Sequence, residues 1–369
     1  MFNGMKARLK GFVRQYAAEY MEKNIIPELK KEQQAVQGIA ANVQSMATEM
    51  QRVAKRNYIS SLNIKNIMSC LAQDRIRNIS VRPMIDAPVK IGLTSKITTQ
   101  EDLESDWSRY WTKELKANFR YNRKRWEFAF VLQALFENDM FGKSGLGFAC
   151  GNESLPSYLI SRGCTITAGD KPLDEEDGGQ KKWRSTGEYT ESKELLFKQA
   201  LVSREAFDAA FQLKYLDMNA IPDDSEATYD FIWSVCAIEH LGSIDNGLKF
   251  LCESLKLLKP GGISVHTTEY NLFSDDLTIE SPDLSFFRKK DFQRLRELLE
   301  NKAELLDIDY ALGDLPFDRY IDMSPYSPQD LSEAPFTGLE IPHDNRTPHL
   351  RLLQAGFPIT CMGLILKKL

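Results

Sequence analysis

The chain has 369 residues, 43% apolar and 27% charged, an ordinary globular mix with room for one large domain and an appendage or for two modest domains. No apolar run approaches the roughly 20 residues that a helix needs to span a bilayer. The net charge of −5 divides into +5 for residues 1–60 (ten Lys/Arg, five Glu) and −10 for the remainder, an acidic body that argues against nucleic acid as a partner.

Met1 to Arg14 is basic but lacks the apolar core of a secretory signal. From Ile25 to Val53 apolar residues step by four and three (Ile25, Leu29, Val36, Ile39, Val43, Met46, Met50, Val53), broken only by Glu32. That 3.5-residue period predicts a coiled-coil segment over 1–75 and self-association into a homo-oligomer. The basic excess at its start reads first as a solvated helix face, with an acidic partner or peripheral contact with an anionic membrane surface as the alternative. Pro83 and Pro88 mark a linker with a short extended piece over 76–100. Residues 101–140 read as capping helices in which aromatics (Trp107, Trp111, Trp126, Phe130) form the packing face and Lys124 and Arg125 interleave with them.

From 141 to 369 the pattern is strand–helix alternation. Ser144–Ala149, Thr165–Ala168, Lys214–Leu216, Asp230–Val235, Ile263–Thr267, Leu305–Tyr310 and Ile359–Leu366 read as strands. Helical stretches fall near Leu155–Arg162, Ser192–Phe211, Asn246–Leu258 and Lys289–Asn301. This predicts an α/β fold, a mostly parallel sheet with helices on both faces and a binding site at the carboxyl ends of the strands. The long links 171–213 and 311–356 read as lids over an acceptor. Six dispersed cysteines with no CxxC pair point to a reducing, cytoplasmic setting.

The Gly145–Glu153 stretch (GLGFACGNE) closes one strand and opens a helix, so Gly147 and Gly151 allow close backbone approach to a ligand. Nineteen residues after Gly151 the next strand ends at Asp170, placed to accept ribose hydroxyls. Asp217 and Met218 follow a third strand and suit an adenine ring; YDFIWS continues through Cys236 to Glu239 and His240, and LKPGG precedes a fifth strand that ends near His266.

In this order the motifs from Leu146 to Thr268 resemble those of class I S-adenosylmethionine-dependent methyltransferases. The resemblance implies a Rossmann-like seven-stranded sheet with an antiparallel last strand, and S-adenosylmethionine as cofactor. It puts Gly147, Ala149, Gly151 and Glu153 at the methionine and ribose portion, Asp170 at the ribose, Asp217 and Met218 at the adenine, and Ser234 to Cys236 under the sulfonium. The chain departs from the family at Gly147, where an acid is usual, and at Glu153, an additional acid. For an oxygen acceptor His240 and His266 are candidate bases, each with a structural role as its alternative. Glu239-His240 also resembles a fragment of magnesium-dependent methyltransferase sites, but Cys236 stands where those families place another Glu, and a thiol is a poor ligand for a hard cation. The metal therefore stays open.

The layout further resembles methyltransferases of bacterial surface-polysaccharide biosynthesis. Methylation of a sugar or glycan hydroxyl is the expectation; a small-molecule or RNA methyltransferase, or a catalytically silent cofactor-binding module acting through its coiled coil, is the alternative.

Overall fold

The computed structural model describes residues 2–172, 183–184, 187–222, 227–324, 326 and 347–369. The chain divides into two compact units, Met1–Ile64 and Lys65–Leu369. The first is helical: α1 (Phe2–Tyr20), a π-helical turn at Met21–Ile25, and the start of α2 (Ile26–Ser80). The π turn precedes Pro27, whose ring would crowd the carbonyl four residues back in a regular helix, and Ile26 N–H bonds instead to Met21 O. The apolar stripe that the sequence suggests as a coiled-coil seam lies exposed in this unit, with Val36, Ile39, Val43 and Met46 at 59–65%.

In the second unit, β1 (Ser95–Ile97) is followed by α3 (Gln100–Glu104), α4 (Asp106–Glu114) and α5 (Arg123–Glu137). Then come β2 (Ser144–Phe148), α6 (Leu155–Ser161), β3 (Thr165–Gly169), α7 (Lys193–Leu196), α8 (Arg204–Ala210), β4 (Phe211–Leu213) and β5 (Tyr229–Val235). After a 3-10 turn at Ile238–His240 follow α9 (Ile244–Glu253), β6 (Leu258–Asn271), the small hairpin β7 (Glu280–Ser281) and β8 (Leu284–Ser285), and α10 (Lys289–Leu298). The chain ends with β9 (Ala303–Leu305), β10 (Ile308–Asp309), β11 (Arg351–Gln354) and β12 (Phe357–Lys368).

The main sheet has ten strands among the described residues, not seven. Its path runs β10-β1-β12-β6-β5-β2-β3-β4, with β9 and β11 also on β12. β4, β3, β2, β5 and β6 are parallel, and β12 is antiparallel to β6, as expected of the last strand. The three additional strands are short: β1, β10 and β11 attach at the β12 side. The expected Leu305–Tyr310 strand is broken into β9 and β10, and the stretch expected as linker holds the end of α2 and β1. The third parallel strand is Phe211–Leu213 rather than Lys214–Leu216, although Lys214 N and Leu216 N still bond to Ala168 O and Asp170 O. LKPGG lies inside β6 as a bulge, where the pairing slips from Tyr229↔Leu258 to Phe231↔Ile263 and Gly261 takes φ +74°.

Strand parity builds the two layers. Phe231, Trp233 and Val265 pack with Trp126, Phe130 and Leu159 on one face. Leu146, Phe148 and Ile232 pack with Leu248, Leu251 and Leu295 on the other. Trp111, Trp126 and Phe130 are fully buried, so these aromatics of 101–140 are core. The order of β2 and β5 places the chain's reversal of winding between them, and a crevice opens there at their carboxyl ends.

Candidate active site

The turn after β2 is held in a conformation few side chains adopt: Ala149 at φ +49° and Gly151 at φ +54°. A side chain at Gly151 would meet the Glu188 backbone at 2.9 Å. The turn after β5 repeats the device, with Cys236 at φ +47° and its N–H bonded to Thr267 O at 3.0 Å. Non-glycine residues held here cost about 1–3 kcal/mol each, and such strain clusters at ligand sites.

These two turns border a cavity of about 500 Å³, within the usual range of small-molecule sites. It brings together Ala149, Gly151 and Glu153 from the first turn, Asp170 from the end of β3, Asp217 and Met218 after β4, and His240. Asp170 is 7% exposed; its carboxylate accepts from Lys171 N and Thr190 N, both at 3.2 Å. Burial pushes its carboxyl up to about 6, against the pull of those two amides. Asp217 accepts from Asn219 N at 2.8 Å, which fixes the turn that presents Met218.

Gly147 and Ser234 are not on the cavity wall. A Cβ at Gly147 would sit 2.4 Å from Trp233 Cζ2, so the indole fills that space. Ser234 points to the opposite side of the sheet, where its hydroxyl meets His266 Nδ1 at 2.7 Å. His266 is fully buried, its Nε2 facing Ser264 Oγ at 2.5 Å and its ring against Phe250; burial pushes it down to about 3. Both ring nitrogens are thus engaged in the core. His240 does line the cavity. Its Nδ1 lies 2.6 Å from Asp283 O, so it donates there and Nε2 is left as the acceptor.

The cavity wall also includes Lys124, Arg125 and Phe128 from α5, and Trp183 and Glu188. The basic–aromatic interleaving of 120–130 was the sequence signal for the α5 residues; nothing in the sequence singled out their aim. Behind Lys124 lies a buried polar cluster. Arg123 pairs with Glu269 at 2.6 Å and lies 3.8 Å from Cys236 Sγ. Lys124 is 3.4 Å from Glu127, and Glu239 accepts from Thr268 Oγ1 at 2.9 Å without reaching the cavity. Burial raises the Glu239 carboxyl. Glu127, Cys236 and Cys361 have ligand atoms within 4.8 Å of one another. Arg123 and Lys124 already supply two positive charges to this cluster, which makes it a poor fit for a cation.

The site and sheet together define a doubly wound α/β domain with a nucleoside-sized hollow at its switch point. No family model matches the chain, and no curated protein does. Among solved structures it is similar to TehB from Haemophilus influenzae, at 16% identity and TM-score 0.38, covering 71% of this chain and 66% of that one. An S-adenosylmethionine-dependent methyltransferase from Clostridium acetobutylicum gives 13% and 0.34, covering 70% and 96%. The 1,6-didemethyltoxoflavin-N1-methyltransferase of Burkholderia thailandensis, with bound 1,6-didemethyltoxoflavin and S-adenosylhomocysteine, gives 15% and 0.31, covering 61% and 71%.

Proposed function

We propose that this chain is an S-adenosylmethionine-dependent methyltransferase. The observation that carries the reading is convergence: the strained turn after β2, the Asp170 carboxylate and the Asp217–Met218 pair border one hollow. The residues fit an adenosine. Asp170 would hold the ribose hydroxyls, Asp217 and the Met218 backbone the adenine edge, and Ala149 and Gly151 the methionine portion. When bound, S-adenosylmethionine supplies a methyl group on a sulfonium.

What the protein adds is position, because an in-line displacement depends on holding two reactants in register. Among the wall residues we assign His240 to take a proton from a hydroxyl acceptor, its tautomer set by Asp283 O. Glu239 and His266 act through the scaffold. The acceptor we favour is a hydroxylated small molecule, a sugar or glycan of the kind methylated in bacterial surface-polysaccharide biosynthesis, in a cytoplasmic enzyme that self-associates through the Ile25–Val53 stripe. Lys124, Arg125 and Trp183 on the same wall favour a polar acceptor.

A silent cofactor-binding module is the second reading, favoured by Gly147, where the family's usual acid is missing. Calorimetric titration with S-adenosylmethionine and S-adenosylhomocysteine, followed by transfer of labelled methyl to a panel of glycans and nucleotide sugars, tests both. Binding with transfer supports the enzyme, binding without transfer the module, and absence of binding overturns the cofactor assignment.

A further inference from the structure

Along α1, Met5, Leu9, Phe12, Val13, Tyr16 and Tyr20 recur at spacings of three and four. At 100° per residue they share an arc of about 100° on one side of the helix, wide enough for an apolar face. All six are 54–72% exposed. Lys6 and Arg8 flank the two edges of this arc, while Lys10 and Arg14 lie on the far side with the small residues Gly4, Ala7, Gly11 and Ala18. The first acid in the chain is Glu19.

The stripe in α2 is of another kind. Between Ile25 and Val53, Lys30, Lys31 and Arg52 are matched by Glu28, Glu32 and Glu49, and Ala35, Ala40, Asn42 and Ala47 border the apolar seam. That neutral border suits a second helix. The α1 border does not, because two copies packed face to face would bring their unmatched cations together. Nucleic acid would meet the cations and leave six large apolar side chains in water.

We propose that α1 is a membrane-surface anchor, lying in the headgroup–acyl boundary of a bilayer that carries anionic lipid. Its aromatic and aliphatic side enters the apolar boundary, and Lys6 and Arg8 reach up from the edges to the headgroups. It does not span: no helix among the described residues is long and apolar enough to cross a membrane. Gly4 and Gly11 weaken the helix in water, so lipid should raise its helicity. The attraction is electrostatic and salt-sensitive, each basic residue near the surface contributing roughly a fivefold gain in partition.

The test uses the full chain with vesicles of phosphatidylcholine alone or mixed with phosphatidylglycerol, read by co-sedimentation and circular dichroism. Binding is expected only to the mixed vesicles, with a gain in helical signal and loss at high salt. Leu9→Glu with Phe12→Glu should lower binding at least about tenfold, and Lys6→Gln with Arg8→Gln by roughly tenfold or more. Thermal unfolding and light-scattering mass should stay as in the wild type, which shows that the variants fold. Three outcomes overturn the proposal: a wild-type chain that stays in the supernatant, equal binding to neutral vesicles, or unchanged binding by the Leu9/Phe12 variant. A fall in oligomer size for that variant, or retention on RNA in place of vesicles, would give the face to a second copy or to nucleic acid instead and sink the lipid assignment.

Discussion

The indole N–H of Trp233 donates to Glu153 Oε1 at 2.7 Å, and the same ring lies in the space that the missing side chain of Gly147 leaves. The two departures from the methyltransferase loop that the sequence resembles, an absent acid and an additional one, are therefore one arrangement. Trp233 reaches across from β5 because position 147 has no Cβ, and Glu153 meets its only polar atom. Burial pushes the Glu153 carboxyl up to about 7, a group on the cavity wall that changes charge near neutrality.

A carboxyl raised in the folded chain binds its proton more tightly there than when unfolded. The stabilising effect of the protonated form is complete below the unfolded value of 4.5 and disappears as pH rises through about 7. Glu153→Gln keeps an acceptor for Trp233 but carries no charge. The variant should match the wild type at pH 4.5 and exceed it at pH 8.5 by about 1–3 kcal/mol. Urea unfolding at both pH values measures this, and a wild type that is the more stable at pH 8.5 contradicts it.

Gly147→Ala should destabilise by about 1–3 kcal/mol through overpacking against Trp233. If the clash is with that indole, Gly147→Ala combined with Trp233→Phe should cost less than the sum of the two single changes by at least about 1 kcal/mol. Simple additivity in denaturant unfolding would mean that the two positions do not compete for one volume.

The mostly parallel α/β character was readable because alternation of apolar segments with helical ones is a local signal, and Asp170 stands at a fixed offset from a glycine turn. The Trp233–Glu153–Gly147 unit was not, since it joins positions 80 residues apart in sequence. His266 looked like a cleft residue because the Ser264–His266–Thr268 side of β6 reads as polar, whereas that side is buried like the other. Parity decides it: in β6 His266 shares a face with Ser264, and its β5 partner is Ser234. Lys214–Leu216 drew the strand assignment by its apolar residues, whereas pairing to Ile166 and Thr167 begins at Phe211. Of the two expected lids, residues 173–182 and 185–186 in the first and 325 and 327–346 in the second lie outside the described residues; the first otherwise holds α7, α8 and β4, and the second holds β11.

The two histidines should separate cleanly. His240→Asn should lower methyl transfer by about 10²–10⁴-fold with little change in stability, the range of a lost general base. His266→Asn should act on stability. Its folded value of about 3 lies below the unfolded 6.5, so the unfolded chain binds the proton first. That contribution is present above pH 6.5 and is lost as pH falls toward 3, by up to about 1.4 kcal/mol per pH unit. The variant should flatten this acid limb. Transfer rates and denaturation curves from pH 4 to 8 check both halves, and full activity in His240→Asn removes it as the base.

Asp170 offers the sharpest test of the adenosine placement, because its charge, burial and position make separate demands. Above its value of about 6 the carboxylate can accept two ribose hydroxyls; below it, one oxygen carries a proton and the pair of acceptors is lost. Affinity for S-adenosylhomocysteine should therefore fall as pH drops from 8 to 5, approaching tenfold per unit at the acid end. Asp170→Asn should bind at least about tenfold more weakly at pH 8, the order expected for losing hydrogen bonds to a charged group. Its affinity should also be far less dependent on pH. Because burial disfavours the charge, the variant should not melt lower than the wild type at pH 8, which distinguishes a lost contact from a damaged fold. Calorimetric titration at pH 8 and pH 5 with both proteins decides it. Equal affinity of Asp170→Asn and wild type at pH 8 would move the ribose elsewhere in the cavity, and the assignment of Asp217 and Met218 to the adenine would move with it.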